Sequence, residues 1–462
     1  AANGFLISDP DSANHWNGNP GSNSGSSYHY IESYFTTSAI DVTGFPNVSL
    51  EFEYNFRFNN SISLVVSVSN DSVNWTDYNI QGNATNNQAS ADPEYLSLNI
   101  SSVAGNQDSV YVKIGWNARV YFWMIDDMKI VETPDNRLSL SDAEFGGWYT
   151  TPIVDGFGMG YTYYPLNQAI ANPYTFEGVV ANLGVLPQTT KINVDVFNDI
   201  GVSVFNTESD TLILYAQDTN TFVGLNKFTP SSLGEYNFFT WASSPDTVSS
   251  TINNSSTVTE YVYGRDDNVD YSEYGLGRSC GGMVIGSYFD IYDTDDVSSI
   301  SVFIMDNSVI GADIYAAMYE IDANNDKIYL FQSDDYTLQA SDLGYWVTIP
   351  FDDEETLWAG TTYMAAVGGY ANPVDTSIIG MSQYTYPTTC YIQKNGCLTG
   401  TQTFGSWYWT TRAPMIRMNF AIFSSIEESV FDGQLIVYPN PSKGIFNIEM
   451  FNVNSEKYTI SV

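Results

Sequence analysis

Histidine is almost missing from this chain, with two in 462 residues. Hydrolytic zinc sites need imidazole or thiolate ligands around an open position, and no His-Glu-x-x-His run is present, so zinc-peptidase chemistry is excluded for this stretch. Cysteine is as scarce: three residues and no Cys-x-x-Cys pair, which removes a thiolate zinc site. Cys390 and Cys397 bracket a short glycine-containing loop and are candidates for a disulfide in an oxidising exterior, with Cys280 left free or competing for one of them. Basic residues number 15 against 53 acidic ones, a formal net charge of −38. That charge repels nucleic acid and anionic lipid surfaces at moderate salt, so no nucleic-acid partner is expected. The acidity reads either as a surface that collects cations, calcium above all, or as solubility in a salty exterior. No apolar run approaches the ~20 residues of a membrane helix. The first residues do not read as a signal peptide, and Ala1 is expected to follow a processing site or a deleted upstream region.

What is present is β pattern. Hydrophobic residues make up 43% of the chain and aromatics 15%, enough for folded domains rather than a disordered polymer. From Val48 to Phe58 the residues alternate strictly, with Val48, Leu50, Phe52, Tyr54, Phe56 and Phe58 on one face and polar residues on the other, as in a half-buried strand. The same period returns at 63–69, 110–114, 191–197, 257–263, 299–305 and 363–367, between turns of Asn, Asp, Gly, Ser and Pro. No segment longer than about ten residues has capped helical periodicity. The expected fold is all-β, a tandem of β-sandwiches, and the length allows about three domains plus a tail at ~150 residues each.

The tail itself, 435–448, reads as strand, rigid turn, strand. Pro439 and Pro441 fix φ on either side of Asn440, and Gly444 tolerates φ > 0. Tyr438, Pro439, Asn440, Pro441, Gly444 and Phe446, in this order and spacing, resemble the opening motif of the type A C-terminal sorting domain of type IX secretion cargo. The resemblance implies export across the outer membrane by the type IX translocon, then handling by its shuttle and sortase-like machinery. Cleavage would fall in the linker 424–432, leaving 433–462 as the start of the sorting domain, and the protein would be secreted or held on the extracellular face of the outer membrane. The chain stops at Val462, inside what that family makes a longer β domain.

Residues 1–134, from Phe5-Leu-Ile-Ser-Asp-Pro-Asp to the closing Trp123-Met-Ile-Asp-Asp127, resemble the jelly-roll domains called cleaved-adhesin or MAM-like. A polar connector is expected from Pro134 to Phe145. Residues 146–263 resemble the immunoglobulin-like domains found between bacterial adhesion modules. The charged stretch Arg265 to Asp270 reads as the next boundary, and 271–422 as a second jelly-roll-like sandwich.

Few residues offer chemistry. Gly277-Arg-Ser-Cys-Gly281 matches the Gly-x-Ser-x-Gly elbow by letter, but lies in a β region with both histidines two domains away, and reads as coincidence. Glu320, Asp322 and Asn324 share a strand face and are close to the Glu-x-Asp-x-Glu run of one jelly-roll glycosidase family. A retaining mechanism needs a second carboxylate about 5 Å from the first; here the third position is an amide, and the hairpin-turn reading is better. Jelly rolls similar to the first module often carry structural calcium near the amino terminus. That resemblance makes Asp9, Asp11 and Asp127 the metal candidates, against a reading in which all three are simply solvated or strand-ending. Trp407 to Trp409, Tyr161 to Tyr164, and Trp16 with Tyr28 and Tyr30 are candidate sugar-stacking platforms, set against core and rim packing. Ser12, Ser72, Ser109, Thr211 and Thr247 sit in Asp-Ser/Thr-aliphatic motifs that resemble the O-glycosylation signal of bacteria using this export route. The expectation is a secreted, surface-delivered protein without catalytic activity that binds a glycan or surface polymer. The alternatives are the accessory region of a secreted hydrolase whose catalytic domain lies upstream, and a surface-fibre component paired through sheet edges.

Overall fold

The structure, a computed structural model, describes residues 4–16, 29–59, 61–81, 84, 88–147, 159–276, 282–370, 376–394, 405–420, 434–438 and 447–451. Residues 1–421 form one compact unit and 422–462 another. All-β is what is found: strands in stacked sheets, with three short helices among the described residues, at Pro10–Trp16, Ser101–Ala104 and Leu166–Ala171.

The first sandwich stacks two four-stranded sheets. One runs Leu6–Ser8, Trp123–Glu132, Val48–Phe56, Glu94–Asn99; the other Ile31–Thr36, Tyr111–Ala118, Ser63–Ser69, Thr76–Asn79. Val48, Leu50, Phe52, Tyr54 and Phe56 meet Leu64, Val66, Val68, Val112, Ile114 and Trp116 between the sheets. Val48–Phe56 departs from the half-buried strand expected of it, because Ser49, Glu51 and Asn55 on its other face are buried too. Each has found a partner. The Ser49 hydroxyl shares a 2.8 Å hydrogen bond with Thr133, and the Asn55 amide donates to the Ala91 carbonyl at 3.0 Å. Glu51 pairs with Arg137, and with Lys129 at 3.4 Å. Burial pushes the Glu51 carboxyl up, but Tyr95, Arg137 and Lys129 outweigh it and hold the group below its ordinary value. Arg137 belongs to the start of the next module, so this ion pair ties the two together.

The second sandwich begins earlier than the sequence suggested. Strand Leu138–Gly146, whose residues up to Phe145 were read as connector, pairs with Thr175–Asn182, which pairs in turn with Thr219–Val223. Leu138, Leu140 and Ala143 point inward, and a bulge opposite Val179 and Val180 breaks the alternation that would have revealed the strand. The facing sheet runs Ser203–Glu208, Gln188–Asn198, Gly234–Ser243, Ile252–Thr259, Tyr163–Pro165.

On the smaller sheet Glu144 lies directly opposite Glu177. Burial, then the Asp142 and Glu177 carboxylates, push Glu144 up to about 8. Folded protein therefore keeps a proton there that the unfolded chain has released. The stability linked to it is intact below the ordinary titration near 4.5 and is lost as pH rises to about 8. Glu144→Gln is expected to raise stability at pH 8 by about 1–2 kcal/mol, discounted for partial exposure, and to change little at pH 4. Urea melts at the two pH values check this; equal effects at both would refute it.

Past Val262 the sheet does not stop. Tyr163 pairs with Thr257 and Gly264, and Val262–Gly264 pairs with Ile416–Phe420 at the far end of the third module. Ile416–Phe420 then pairs with Asp295–Ile304, which carries Tyr345–Leu357 and touches Ser377–Tyr384. One sheet of thirteen strands thus serves both sandwiches. Against it packs a seven-stranded sheet whose main order is Lys327–Gln332, Asp313–Ile321, Thr361–Gly369, Met283–Ile291, Cys390–Lys394, Trp407–Trp409. The core is continuous as well: Tyr161, Tyr164 and Tyr263 pack on one another, Tyr161 and Tyr263 also on Phe289, and Tyr263 on Phe420. Arg265 to Asp270, expected as a boundary, starts with two buried charges. Asp266 is fully buried and bound twice by Arg417, at 2.7 and 2.9 Å.

In the second unit Gln434–Tyr438 pairs antiparallel with Asn447–Phe451, Tyr438 opposite Asn447. This is the expected hairpin. The turn with Pro439, Asn440, Pro441, Gly444 and Phe446, and the linker 424–432, lie outside the described residues.

Candidate functional site

Strands Gln188–Asn198 and Gly234–Ser243 pair over eight residues, with Asp195 opposite Phe239 and Phe197 opposite Asn237. Their inward residues, Ile192, Val194, Val196, Tyr236, Phe238 and Ala242, are core. Because side chains alternate, Asp195, Phe197, Asn237, Phe239 and Trp241 must all project from the opposite face. There they line a trough of about 760 Å³ together with Asn198, Asp199, Gly201, Val248, Ser249 and Thr251. The Phe197 and Phe239 rings meet edge to face, their centroids 5.4 Å apart. Asn237 and Trp241 are four residues apart, which gives the floor a length of roughly 13 Å at the usual strand rise.

Both ends are built by turns. Asn198 organises the first: its side-chain oxygen accepts from Val202 N–H at 2.8 Å, and Gly201 takes φ +75°, where a Cβ would be strained. At the other, Ser249 accepts from the Ala242 N–H at 2.9 Å and fixes the return of the hairpin. Asn198 and Ser249 are thus occupied by the fold. Asp195, Asn237 and the Trp241 indole make no side-chain hydrogen bond among the described residues and remain for a ligand. Among the described residues no Lys or Arg lines the trough; Lys191, on the same strand face, is tied to Glu208. Apolar rings with a few unspent polar groups are the usual make-up of a small-ligand or saccharide site.

The sequence did not single out this trough. Asn-Phe-Phe-Thr-Trp, 237–241, has aromatics on both strand faces, so its alternation is hidden. The usable signal was that excess: Phe238 alone satisfies the core, which leaves Phe239 and Trp241 to explain.

The aromatic platforms named from sequence are placed otherwise. Tyr161 and Tyr164 are 1% exposed and belong to the core. Trp407 is half-buried with its ring edge-on to Tyr319 at 5.4 Å. Tyr30 is exposed, with the Arg119 guanidinium 5.9 Å from its ring; Tyr28 and the side chain of Trp16 lie outside the described residues.

The three calcium candidates are not brought together. Asp9 accepts from the Ser12 N–H at 2.9 Å, and Asp11 lies in the first turn of helix Pro10–Trp16. Ser8 is opposite Trp123 and Leu6 opposite Ile125, so Asp127 lies beyond the other end of this pairing, about 16 Å along the strand from Asp9. It occupies a bulge at φ +50°. Among the described residues no group of three or more His, Cys, Asp or Glu is placed to hold a metal ion.

Cys390 corrects the disulfide expectation. Its thiol is free and fully buried, 3.3 Å from the Ser287 hydroxyl and 3.7 Å from Arg265 Nη1. It faces the core side of its strand, whereas Cys397 and Cys280 lie outside the described residues, as does the 277–281 elbow. Asp322 is a turn cap: its carboxylate accepts from the Asp326 and Asn324 N–H groups at 2.8 Å, and this holds it below its ordinary value. Of the glycosylation motifs, Ser12, Ser72 and Thr211 are exposed and Ser109 and Thr247 half-buried.

No family profile matches the chain, and no curated protein matches it. Among solved structures it is similar to a calcium-binding mutant of β-glucuronidase 2 from Bacteroides uniformis, at 8% identity and TM-score 0.28 over 56% of this chain and 28% of that one. A glycosyl hydrolase family 2 member from Bacteroides cellulosilyticus matches at 10% identity and TM-score 0.24, over 53% and 31%. A β-glucuronidase from Ruminococcus gnavus matches at 11% and 0.22, over 56% and 45%. The chain therefore spans less than half the length of each of these proteins. All three are glycosidases by name, which runs against the flat expectation of a protein without catalytic activity. At these TM-scores the likeness assigns no activity or substrate either.

Proposed function

We propose that this is a glycan-binding region of a secreted protein, and that the trough on the second sandwich is where the saccharide lies. The observation that carries it is the outward trio Phe197, Phe239 and Trp241 beside unspent Asp195 and Asn237. Sugar rings present apolar C–H faces and a rim of hydroxyls, which such a floor matches by stacking and hydrogen bonding. Trp241→Ala is expected to weaken binding at least tenfold, as truncation of a central aromatic anchor does. Its melting temperature should change little, since the indole is outside the core. Titration calorimetry against a panel of soluble oligosaccharides is the test; a variant that binds as well as the parent chain would remove the site.

The same reading gives the protein an extracellular place. The 438–446 motif supports export by the type IX translocon and delivery to the outer-membrane surface, with the region acting as an adhesin or beside a hydrolase domain encoded upstream. Exposed Ser12, Ser72 and Thr211 would be the first residues to carry O-glycan, and calcium stays a proposal for the first sandwich. Intact mass from cells and medium tests the route: a species ending within 424–432 is expected, and a mature protein retaining the tail in an export-competent strain would refute it.

A further inference from the structure

The lining of the trough also discriminates by charge. Resting on the glycan-binding reading, we infer that its ligand is an amine-bearing saccharide, a chain of protonated, non-acetylated amino sugars. Asp195 stands on the floor directly opposite Phe239, and Asp199 stands at the turn beside Gly201. Neither carboxylate has a hydrogen bond or ion pair within the described residues, although Lys191 and Glu208 on the same sheet have paired with each other. An ammonium group laid over the rings gains from the aromatic quadrupole and from a carboxylate within reach. The chain's net charge of −38 raises the local concentration of such a cation and repels uronic or sulfated chains. A neutral saccharide would use the rings and offer the carboxylates hydroxyl hydrogen bonds alone, without the charge attraction that an ammonium adds.

The test uses the full chain in calorimetry with three matched oligosaccharides: glucosamine oligomers, their N-acetylated counterparts and neutral gluco-oligomers. A lysine peptide of equal charge serves as a fourth ligand. The glucosamine oligomer should bind roughly tenfold more tightly than the other two sugars and than the peptide. Asp195→Asn, which keeps shape, should erase that preference and leave neutral-sugar binding within about twofold. Asp353→Asn, an exposed acid on strand Tyr345–Leu357, should leave the preference intact, which separates the site from the general field of the molecule. Equal affinity for all three sugars, lost on Trp241→Ala, would overturn the inference and keep the glycan reading. Amine binding that survives both Asp195→Asn and Trp241→Ala, or a lysine peptide bound as well as the sugar, would overturn it too. Failure of every saccharide to bind would bring down the underlying reading itself.

Discussion

Arg417→Ala is expected to destabilise the protein by about 3–5 kcal/mol, the cost of leaving a buried carboxylate without its cation. Asp266 has no exposed surface and takes two hydrogen bonds from the Arg417 guanidinium. That guanidinium is also held between the Tyr163 and Trp346 rings, 3.8 and 3.9 Å from their centroids. Removing Arg417 therefore deletes a fork, two ring contacts and the neutralising charge together. Arg417→Lys should recover only a fraction of the loss, because an ammonium cannot reproduce the planar fork. The double variant Arg417→Met with Asp266→Leu should be milder than Arg417→Ala, since it leaves no orphan charge. Denaturant melts of the three variants decide the matter. A loss below about 1 kcal/mol for Arg417→Ala would mean that water reaches Asp266.

A second large effect is expected at Tyr263. Its ring packs on Tyr161, Tyr164, Phe289 and Phe420, and its hydroxyl donates to the Asp290 carbonyl at 2.8 Å. Tyr263→Ala should cost about 3–5 kcal/mol and Tyr263→Phe about 1 kcal/mol. The informative readout is how many transitions appear. Because the thirteen-stranded sheet and its core run through both sandwiches, the second and third modules should melt together in the parent chain. Tyr263→Ala should shift this shared transition and leave the first sandwich, with its separate core, where it was. Two well-separated melts for the second and third modules in the parent chain would contradict the shared core.

How much of this was legible depended on whether one face of a strand was left polar. Strand Gln188–Asn198 shows alternating residues and was read from Lys191 to Phe197; the expected run 363–367 likewise lies inside Thr361–Gly369, and 299–305 overlaps all but the start of Asp295–Ile304. Val48–Phe56 was found as a strand, but its second buried face was not. Ser49, Glu51 and Asn55 look like surface until Thr133, Arg137 and Ala91 are brought to them by the fold. The same limit hid the continuity at 262–270, where consecutive charges read as solvent and Arg417, 151 residues away, makes Asp266 an interior group. The site was hidden by richness rather than poverty: Phe238 and Phe239 are identical letters on opposite sides of one sheet. Asp9 and Asp127 failed as a pair for a reason of register, since sequence spacing carries no information about which end of a strand pairing each residue occupies.

The closure of the third sandwich has a mechanical consequence. Its chain enters through Val262–Gly264 and leaves through Ile416–Phe420, which are hydrogen-bonded neighbours, with Phe420 N–H donating to the Tyr261 carbonyl at 3.0 Å. Entry and exit are at the same end of this pair, so tension between the chain before Tyr261 and the chain after Phe420 acts on that end alone. The roughly 150 residues between them feel no pull until these bonds break. The bonds break singly, as a zip opens, rather than all together in shear. A bound polymer tugging on the second sandwich against the chain after Phe420 would thus load this seam first, ahead of the trough that grips it.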